Sequence, residues 1–118
     1  MSEYTFHLPF PPSVNTYYSV VRGRKVLSKR GRLYKLESME AMIEQGLDSK
    51  GIDFGVSVVV ILNPPCKRKR DLDNYLKASL DAITYSEFWV DDSQVHDLRI
   101  IRGVKSKVAN IEVTVKKL

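Results

Sequence analysis

The 118-residue sequence is short of several residue types, and each shortage excludes a class of protein. Cys66 is the only cysteine, so no internal disulfide can form, and we expect a cytoplasmic protein in a reducing compartment. One cysteine and two histidines do not provide the ligand cluster of a zinc site. No apolar run approaches the roughly 20 residues that span a membrane, and no charged-then-apolar leader begins the sequence. We therefore expect no membrane partner.

Charge is plentiful but is distributed unevenly along the chain. The sequence has 19 Lys and Arg residues against 14 Asp and Glu residues, which gives a net charge of +5. A basic surface gains affinity for phosphates because binding releases their counterions. The segment 22–35 carries basic residues and no acid, and we interpret it as a DNA-contacting arm that includes Arg22, Arg24 and Lys25. A solvated loop is the alternative.

The spacing of apolar residues predicts an α+β fold, with a small mixed β-sheet and two main helices in one domain over residues 1–118. The predicted order is β-hairpin-α-β-α-β-β. It begins with a strand over 4–8 that buries Tyr4, Phe6 and Leu8, and a hairpin follows around Arg22-Gly23-Arg24.

The first main helix is predicted over residues 29–49. Ser28 is its expected N-cap, and Gly51 is expected to close it. Apolar residues recur at helical spacing, which predicts a buried stripe. The stripe consists of Leu33, Leu36, Ile43 and Leu47, with Met39 beside them.

The second half of the chain is predicted to supply the centre of the sheet. The β-branched run over 56–62 predicts a central strand that is buried on both faces. A second helix is expected over 71–83, and strands over 95–104 and 109–115 are expected to pair as a hairpin. The buried stripe of the second helix is Leu72, Leu76, Leu80 and Ile83.

A run of four bases leads directly into two carboxylates that lie one residue apart. Lys67-Arg68-Lys69-Arg70 precedes Asp71-Leu72-Asp73-Asn74. The run follows the carboxyl end of the predicted central strand, where open α/β sheets commonly place their sites. The bases would attract a phosphate and the acids would present a metal ion to it. Asn74 is either a helix cap or a phosphate contact.

Asp71, Asp73 and Asp92 would form a metal site if the fold brings them together. At about 4 Å each pair repels by roughly 4 kcal/mol at an effective dielectric of about 20. Mg²⁺ suits such a site because it prefers oxygen ligands and keeps positions for water and phosphate, and it would assist phosphodiester hydrolysis. Lys77 would pair with Asp73 and Asp81 or stabilise charge on the phosphate. The plainer alternative is that Asp71 or Asp73 only caps the second helix.

The residues alone leave three classes of function open. A metal-dependent nuclease accounts for the paired carboxylates together with Lys77 and the Asp91-Asp92 pair. A non-catalytic nucleic-acid-binding module would need only the basic stretches, and other phosphate chemistry is the third class. Trp89 is expected in the core, with base stacking as the alternative.

Four pieces of the sequence resemble the RusA-type Holliday junction resolvases, in the order of that family. The likeness runs over nearly the whole chain, and the spacing of the pieces makes it specific. The pieces are Leu8-Pro9-Phe10-Pro11-Pro12-Ser13-Val14-Asn15, Arg68-Lys69-Arg70-Asp71-Leu72-Asp73-Asn74 with Lys77, Leu80-Asp81-Ala82, and Phe88-Trp89-Val90-Asp91-Asp92-Ser93-Gln94-Val95.

The resemblance implies a homodimeric endonuclease in DNA recombination and repair, which works at the nucleoid. Such an enzyme binds branched DNA, the four-way junction, and cuts two opposing strands symmetrically with Mg²⁺ or Mn²⁺. The matching positions make Asp71, Asp73 and Asp92 metal-binding carboxylates and Lys77 the essential lysine.

The resemblance also suggests supporting residues, whereas the expected DNA contacts rest on the basic stretches of the sequence. We assign supporting roles to Asp91 and Asn15. Some positions of the basic run carry lysine where the family is expected to carry arginine, which keeps the charge but loses the bidentate geometry. The expected DNA contacts are Lys67, Arg68, Lys69, Arg70, Asn74, Arg22, Arg24 and Lys25.

Overall fold

A computed structural model describes residues 2–118, and Met1 lies outside the described residues. Within this range no helix is both long enough and apolar enough to cross a membrane. The α+β class is confirmed. In chain order the elements are β1 (Glu3–Pro9), α1 (Val14–Tyr17), β2 (Tyr18–Val21), β3 (Arg24–Leu27), α2 (Lys29–Glu44), β4 (Val56–Asn63), a 3₁₀ helix (Leu72–Tyr75), α3 (Leu76–Tyr85), a second 3₁₀ helix (Asp92–Gln94), β5 (Val95–Arg102) and β6 (Asn110–Lys117).

The main sheet has the spatial order β1-β6-β4-β5, and β2 and β3 form a separate hairpin. β4 and β5 are parallel, and α3 makes the crossover between them. β6 lies antiparallel to both β1 and β4. The predicted hairpin of the last two strands is therefore wrong, because β4 separates them.

The connection from β5 to β6 crosses the carboxyl end of β4. The backbone N–H of Gly103 donates to the carbonyl of Leu62 at 2.7 Å, and that of Ser106 donates to the carbonyl of Pro64 at 2.9 Å. Ile111, Val113 and Val115 are fully buried by this arrangement. β6 occupies an inner position because its alternating apolar residues need burial, whereas the more exposed β5 lies at the edge.

The sheet buries one face and leaves the other largely open. Alternate residues of β4 are buried, and the residues between them are only partly buried. The prediction of a central strand is confirmed, but burial on both faces is wrong. Side chains of α2 and α3 pack on the buried face. The core includes Phe6, Leu8, Met42, Val56, Val58, Val60, Leu62, Ile83, Phe88 and Trp89.

α2 buries a different stripe from the one predicted. Ser28 caps the helix as expected, since its Oγ accepts a hydrogen bond from the N–H of Gly31 at 3.0 Å. The helix ends at Glu44 rather than at Ser49, and Gly46 takes a φ of +71° just beyond it. Aromatic and small residues pack inward in place of the aliphatic ones. Tyr34, Ser38 and Met42 are buried, whereas Leu33, Leu36 and Ile43 are exposed.

The second main helix is shorter than predicted, because the first 3₁₀ helix precedes α3. Its apolar stripe is confirmed. Ile83 is buried, and Leu72, Leu76 and Leu80 pack against the core. Trp89 is also buried, and its indole Nε1 donates to Thr84 Oγ1 at 2.7 Å. Base stacking by Trp89 is therefore excluded in this conformation.

Substitution of Gly31 by alanine would test whether close packing outweighs helix propensity in α2. A Cβ there would lie 2.6 Å from the backbone O of Tyr17 and 3.0 Å from the Tyr17 and Leu27 side chains. Replacing glycine by alanine inside a helix usually stabilises it by about 1 kcal/mol. We instead expect Gly31→Ala to lower the free energy of unfolding by roughly 1–3 kcal/mol in urea titrations, because the site is overpacked.

The control is Glu40→Ala, at an exposed position of the same helix. It should change the free energy of unfolding by less than about 0.5 kcal/mol. A higher urea midpoint for Gly31→Ala than for the wild type would contradict the close contact with Tyr17.

Candidate functional site

The basic run follows β4, and Arg70 holds its end in place. The Arg70 Nη1 donates to the backbone O of Cys66 at 2.9 Å, and its guanidinium lies 5.6 Å from the centre of the Phe10 ring. The backbone O of Arg70 accepts a hydrogen bond from Arg102 Nη2 at 2.8 Å. Arg70 is thus occupied by contacts within the protein. The cations that remain exposed in the run are Lys67, Arg68 and Lys69.

Asp71 lies in an open depression of about 550 Å³ at the carboxyl end of β5. Asn15 reaches this depression from the short helix α1, so two pieces of sequence far apart along the chain meet here. The depression is rich in basic and amide side chains, which are suited to phosphate. It is lined by Ser13, Asn15, Lys69, Arg70, Asp71, Asn74, Tyr75 and Arg102.

The carboxylates of Asp71 and Asp73 are unpartnered. Both residues are exposed, and within residues 2–118 neither side chain accepts a hydrogen bond or forms an ion pair. Asp71 occupies the N-cap position of the first 3₁₀ helix but makes no side-chain cap, and α3 also begins without one. The capping alternative is therefore excluded. Two carboxylates one residue apart remain available to a cation.

Lys77 is part of a hydrogen-bonded network with Asp81 and Tyr17. Its Nζ donates to Asp81 Oδ1 at 3.1 Å, and the Tyr17 hydroxyl donates to Asp81 Oδ2 at 2.9 Å. The predicted pairing of Lys77 with Asp81 is confirmed, whereas among residues 2–118 Lys77 makes no pair with Asp73. Tyr17 is fully buried, so it fixes the carboxylate that in turn orients the lysine.

The same contacts set the protonation states of Lys77 and Tyr17. The hydrogen bond from Lys77 to Asp81 raises the pKa of the lysine, and the charge of Asp92 adds to this effect. Burial raises the pKa of the Tyr17 hydroxyl, and the hydrogen bond to Asp81 raises it further. At neutral pH Lys77 is therefore a cation and Tyr17 a hydrogen-bond donor.

Asp91 and Asp92 have different surroundings. The Asp91 side chain caps the second 3₁₀ helix, since its Oδ2 accepts from the N–H of Ser93 at 3.1 Å. Hydrogen bonding from the Ser93 side chain lowers the Asp91 pKa most, and the bond from the Ser93 backbone lowers it further. Gln94 completes a capping box by accepting from the Asp91 N–H at 2.9 Å, and it also donates to the carbonyl of Ile52 at 2.9 Å. Asp91 thus fixes the turn, which leaves the neighbouring Asp92 carboxylate available.

Asp92 and Lys77 line the same depression. It is open, has a volume of about 430 Å³ and lies beside α3. Its cations come from two helices and its acids from α3 and the turn that precedes β5. The lining residues are Lys35, Lys77, Asp81, Thr84, Tyr85, Asp91 and Asp92.

The structure does not bring Asp92 next to Asp71 and Asp73. Asp71 lines the depression beside Arg102, whereas Asp92 lines the one beside Lys77. Within residues 2–118 no three Asp, Glu, His or Cys side chains lie close enough to hold one metal ion. The cluster of three carboxylates expected from the sequence is therefore absent from the described part of a single chain.

The basic arm predicted over 22–35 is divided in the structure. Residues 22–27 belong to the hairpin of β2 and β3, whereas 29–35 form the start of α2. Arg22 and Gly23 form its turn with positive φ values of 52° and 74°. Lys25 lies with its Nζ 4.3 Å from the centre of the Tyr18 ring. The base of the hairpin reaches the Lys77 depression because Tyr17, just before β2, is bonded to Asp81. Arg22, Arg24 and Lys25 are exposed, and their contact with DNA stays a prediction.

The sequence alone assigns no role in the site to three residues, which are Tyr17, Asp81 and Arg102. Asp81 is predicted only as an ion-pair partner of Lys77, and Arg102 is not distinguished from the other basic residues of the chain. Tyr17 gave no signal, because a tyrosine 64 positions away from Asp81 has no detectable relation to it in one sequence. Only the packing of α1 against α3 brings them together.

The matching family and the similar known proteins carry the same description, and both cover nearly the whole length of this chain. The family model described as "Endodeoxyribonuclease RusA" matches residues 9–116. A crossover junction endodeoxyribonuclease RusA of Shigella sonnei is 36% identical over 118 residues, which is 100% of this chain and 98% of the relative. Proteins of the same description from Escherichia coli K12 and Enterobacteria phage 82 have the same identity and coverage.

The contact between Lys77 and Asp81 predicts a measurable change in protonation. We expect Asp81→Asn to lower the pKa of Lys77 towards its ordinary value, because the largest cause of its elevation is removed. The measurement is an NMR titration of the Lys77 side chain. A raised folded-state pKa stabilises the fold fully below the unfolded pKa of about 10.4 and is lost as the pH rises through the folded value. The loss of stability in Asp81→Asn is therefore present at neutral pH, and it disappears only in alkaline solution, where the wild type loses the same stabilisation.

The control for this titration is Asp97→Asn, since Asp97 is an exposed acid on β5. It should leave the Lys77 pKa unchanged. An unchanged Lys77 pKa in Asp81→Asn would show that the ion pair does not persist in solution.

Proposed function

Because the chain belongs to the RusA family of endodeoxyribonucleases, we propose that it is a crossover junction endodeoxyribonuclease. It would resolve four-way (Holliday) DNA junctions by hydrolysing one phosphodiester bond in each of two opposing strands, in recombination and repair. The observation that carries this proposal is the Asp71 and Asp73 pair, which has no partner among residues 2–118. The pair closely follows the exposed cations Lys67, Arg68 and Lys69 in the sequence, and Asp71 shares a depression with Lys69.

The DNA backbone would lie across the carboxyl end of β4 and β5. Lys67, Arg68 and Lys69 are exposed there, and Arg102 adds a guanidinium from the neighbouring strand. Phosphate contacts of this kind position the duplex without reading its sequence. Asn15 and Asn74 line the same depression, where their amides would contact phosphate or sugar. The β2–β3 hairpin, with Arg22, Arg24 and Lys25, would hold a second arm of the junction.

Asp71 and Asp73 would hold the divalent metal ion. They fit one, because both carboxylates lack any other partner and Mg²⁺ is commonly bound by one or two carboxylates together with substrate phosphate and water. Mn²⁺ is accepted by the same oxygen ligands. The bound ion would polarise a phosphoryl oxygen and activate a water molecule.

Lys77 would stabilise the negative charge that develops on the phosphate. Its position on α3, one turn after Asp73, and its protonated state support this role. Asp81 and Tyr17 would keep the ammonium group oriented, and a phosphate oxygen would then compete with Asp81 for it. Asp81 is thus a positioning residue for Lys77.

Asp92 would be the third carboxylate of the complete site, with Asp91 as its support. Among residues 2–118 the three carboxylates do not form one cluster, so this role requires that binding of metal, DNA or the second subunit brings Asp92 closer to the other two. The capping box at Asp91 and Gln94 supports the role, because it holds the turn while leaving the Asp92 side chain available.

The working enzyme would be a homodimer that meets its substrate at the nucleoid in the cytoplasm. Symmetric cutting needs two active sites, and a two-fold dimer presents the same surface to each half of a four-way junction.

Replacing one metal ligand should separate binding from cutting. We expect Asp71→Asn to bind a synthetic four-way junction as the wild type does and to cut it at least about a hundredfold more slowly, which corresponds to about 3 kcal/mol of lost transition-state stabilisation. Gel shifts and a time course of cleavage with Mg²⁺ measure the two properties. The control is Asp97→Asn, which should cut normally. Normal cutting by Asp71→Asn would exclude Asp71 as a metal ligand.

The choice of substrate distinguishes the proposed enzyme from two rivals. With Mg²⁺ we expect paired symmetric nicks in a four-way junction, little cutting of forks and linear duplex, and no product with EDTA. The measurement is one denaturing gel that compares these substrates. Binding without product in either Mg²⁺ or Mn²⁺ would indicate a non-catalytic DNA-binding module. Asymmetric cutting with no preference for junctions would indicate a general flap or single-strand nuclease.

A further inference from the structure

The outer face of α2 carries an apolar seam that the sheet and the other helices leave uncovered. Leu33, Leu36 and Ile43 are 47%, 53% and 54% exposed, although all three are large aliphatic residues. They recur at helical spacing directly opposite the buried Tyr34 and Met42. The seam extends over about 15 Å of the helix, since each residue adds 1.5 Å. Glu40, which is also exposed, lies between Leu36 and Ile43 on this face. Exposed aliphatic residues grouped on one helix face are typical of a contact with another protein surface.

The charges of α2 are divided between its two halves. Lys29, Arg30, Arg32 and Lys35 lie in the first half, and Glu37, Glu40 and Glu44 lie in the second half. The first turn therefore has no acid and the last turn no base. This order is the reverse of the one that the helix dipole favours. The charge pattern therefore lowers the stability of the isolated helix. A partner surface with the opposite order of charges would offset this loss.

We propose that the outer face of α2 is the surface through which two copies of this chain pair, with their α2 helices antiparallel. An antiparallel pair places the basic half of each helix beside the acidic half of the other, and it also opposes the two helix dipoles. With the two-fold axis near Ser38, Leu33 of one copy faces Ile43 of the other. Arg30, which pairs with Glu37 of its own helix at 3.5 Å, then lies about 3 Å along the axis from the level of Glu44 in the other copy, within reach of its side chain. Each such contact occurs twice.

The chemistry of the face selects a second copy over DNA. Three glutamates in the second half would repel phosphates, and the aliphatic seam offers no hydrogen-bond donors to a backbone. By contrast, the face is complementary to itself in charge, because its basic half meets its acidic half, and it carries the aliphatic residues Leu33, Leu36 and Ile43 that a second copy would cover. Lys35 lies to one side of the seam, with its Nζ 5.5 Å from the centre of the Tyr85 ring, and stays in the Lys77 depression.

This inference rests on the proposed function, because paired cutting needs two copies, and it names the surface that joins them. The first experiment measures mass in solution by light scattering at micromolar concentration. We expect a dimer for the wild type and a monomer for Leu36→Glu, because a charge in the seam opposes its burial. The matched control is Leu118→Glu, a leucine with similar exposure outside α2, which should remain a dimer.

The second experiment tests the antiparallel register by charge reversal. Arg30→Glu and Glu44→Arg should each weaken dimerisation by about tenfold or more, and the double variant should restore it. Circular dichroism checks that each variant is folded. Loss of rescue in the double variant would overturn the antiparallel arrangement.

The outcomes also separate this inference from the proposed function. A wild-type dimer that survives Leu36→Glu would overturn the α2 surface and leave junction resolution intact. A monomeric wild type would overturn both the surface and the dimeric mechanism. Cleavage of a four-way junction by the same preparation then shows independently whether the nuclease assignment stands.

Discussion

The parallel pairing of β4 with β5 determines where every chemical group of the site lies. Two parallel strands need a crossover that returns the chain to the opposite end of the sheet, and α3 provides it. The chain therefore passes the carboxyl end of β4 with its basic run, descends along α3 with Lys77, and turns into β5 at Asp92. The three parts of the proposed chemistry are arranged along one helix rather than around one point.

Each part is held by contacts that leave the reactive group available. Arg70 anchors the basic run through Cys66 and Arg102, so that the preceding cations remain exposed. The buried Tyr17 holds Asp81, which holds Lys77. The capping box of Asp91 holds the turn beside Asp92. In all three cases a neighbouring residue carries the structural role, which frees the residue that would meet DNA or metal.

The uncovered face of α2 and the distance between the carboxylates have one feature in common. In a single chain the apolar face of α2 is uncovered, and the three carboxylates proposed as metal ligands do not form one cluster. The open face of the sheet has no comparable pattern, because partly buried Val59 and Thr114 alternate there with mixed charges. The dimeric enzyme proposed for this family member would resolve the first deficit by pairing and supply the two sites that symmetric cutting requires.

The sequence by itself determined the elements whose signals are local. Alternation identified β1 and β6, Ser28 identified the start of α2, and the bases beside Asp71 and Asp73 predicted a phosphate site. Tertiary structure alone decided the position of β6 inside the sheet, the burial of Tyr34 in place of Leu33, and the bond between Tyr17 and Asp81. Those outcomes depend on which distant surfaces pack together. Periodicity shows which residues share a face of an element, but it does not show which face the rest of the molecule covers.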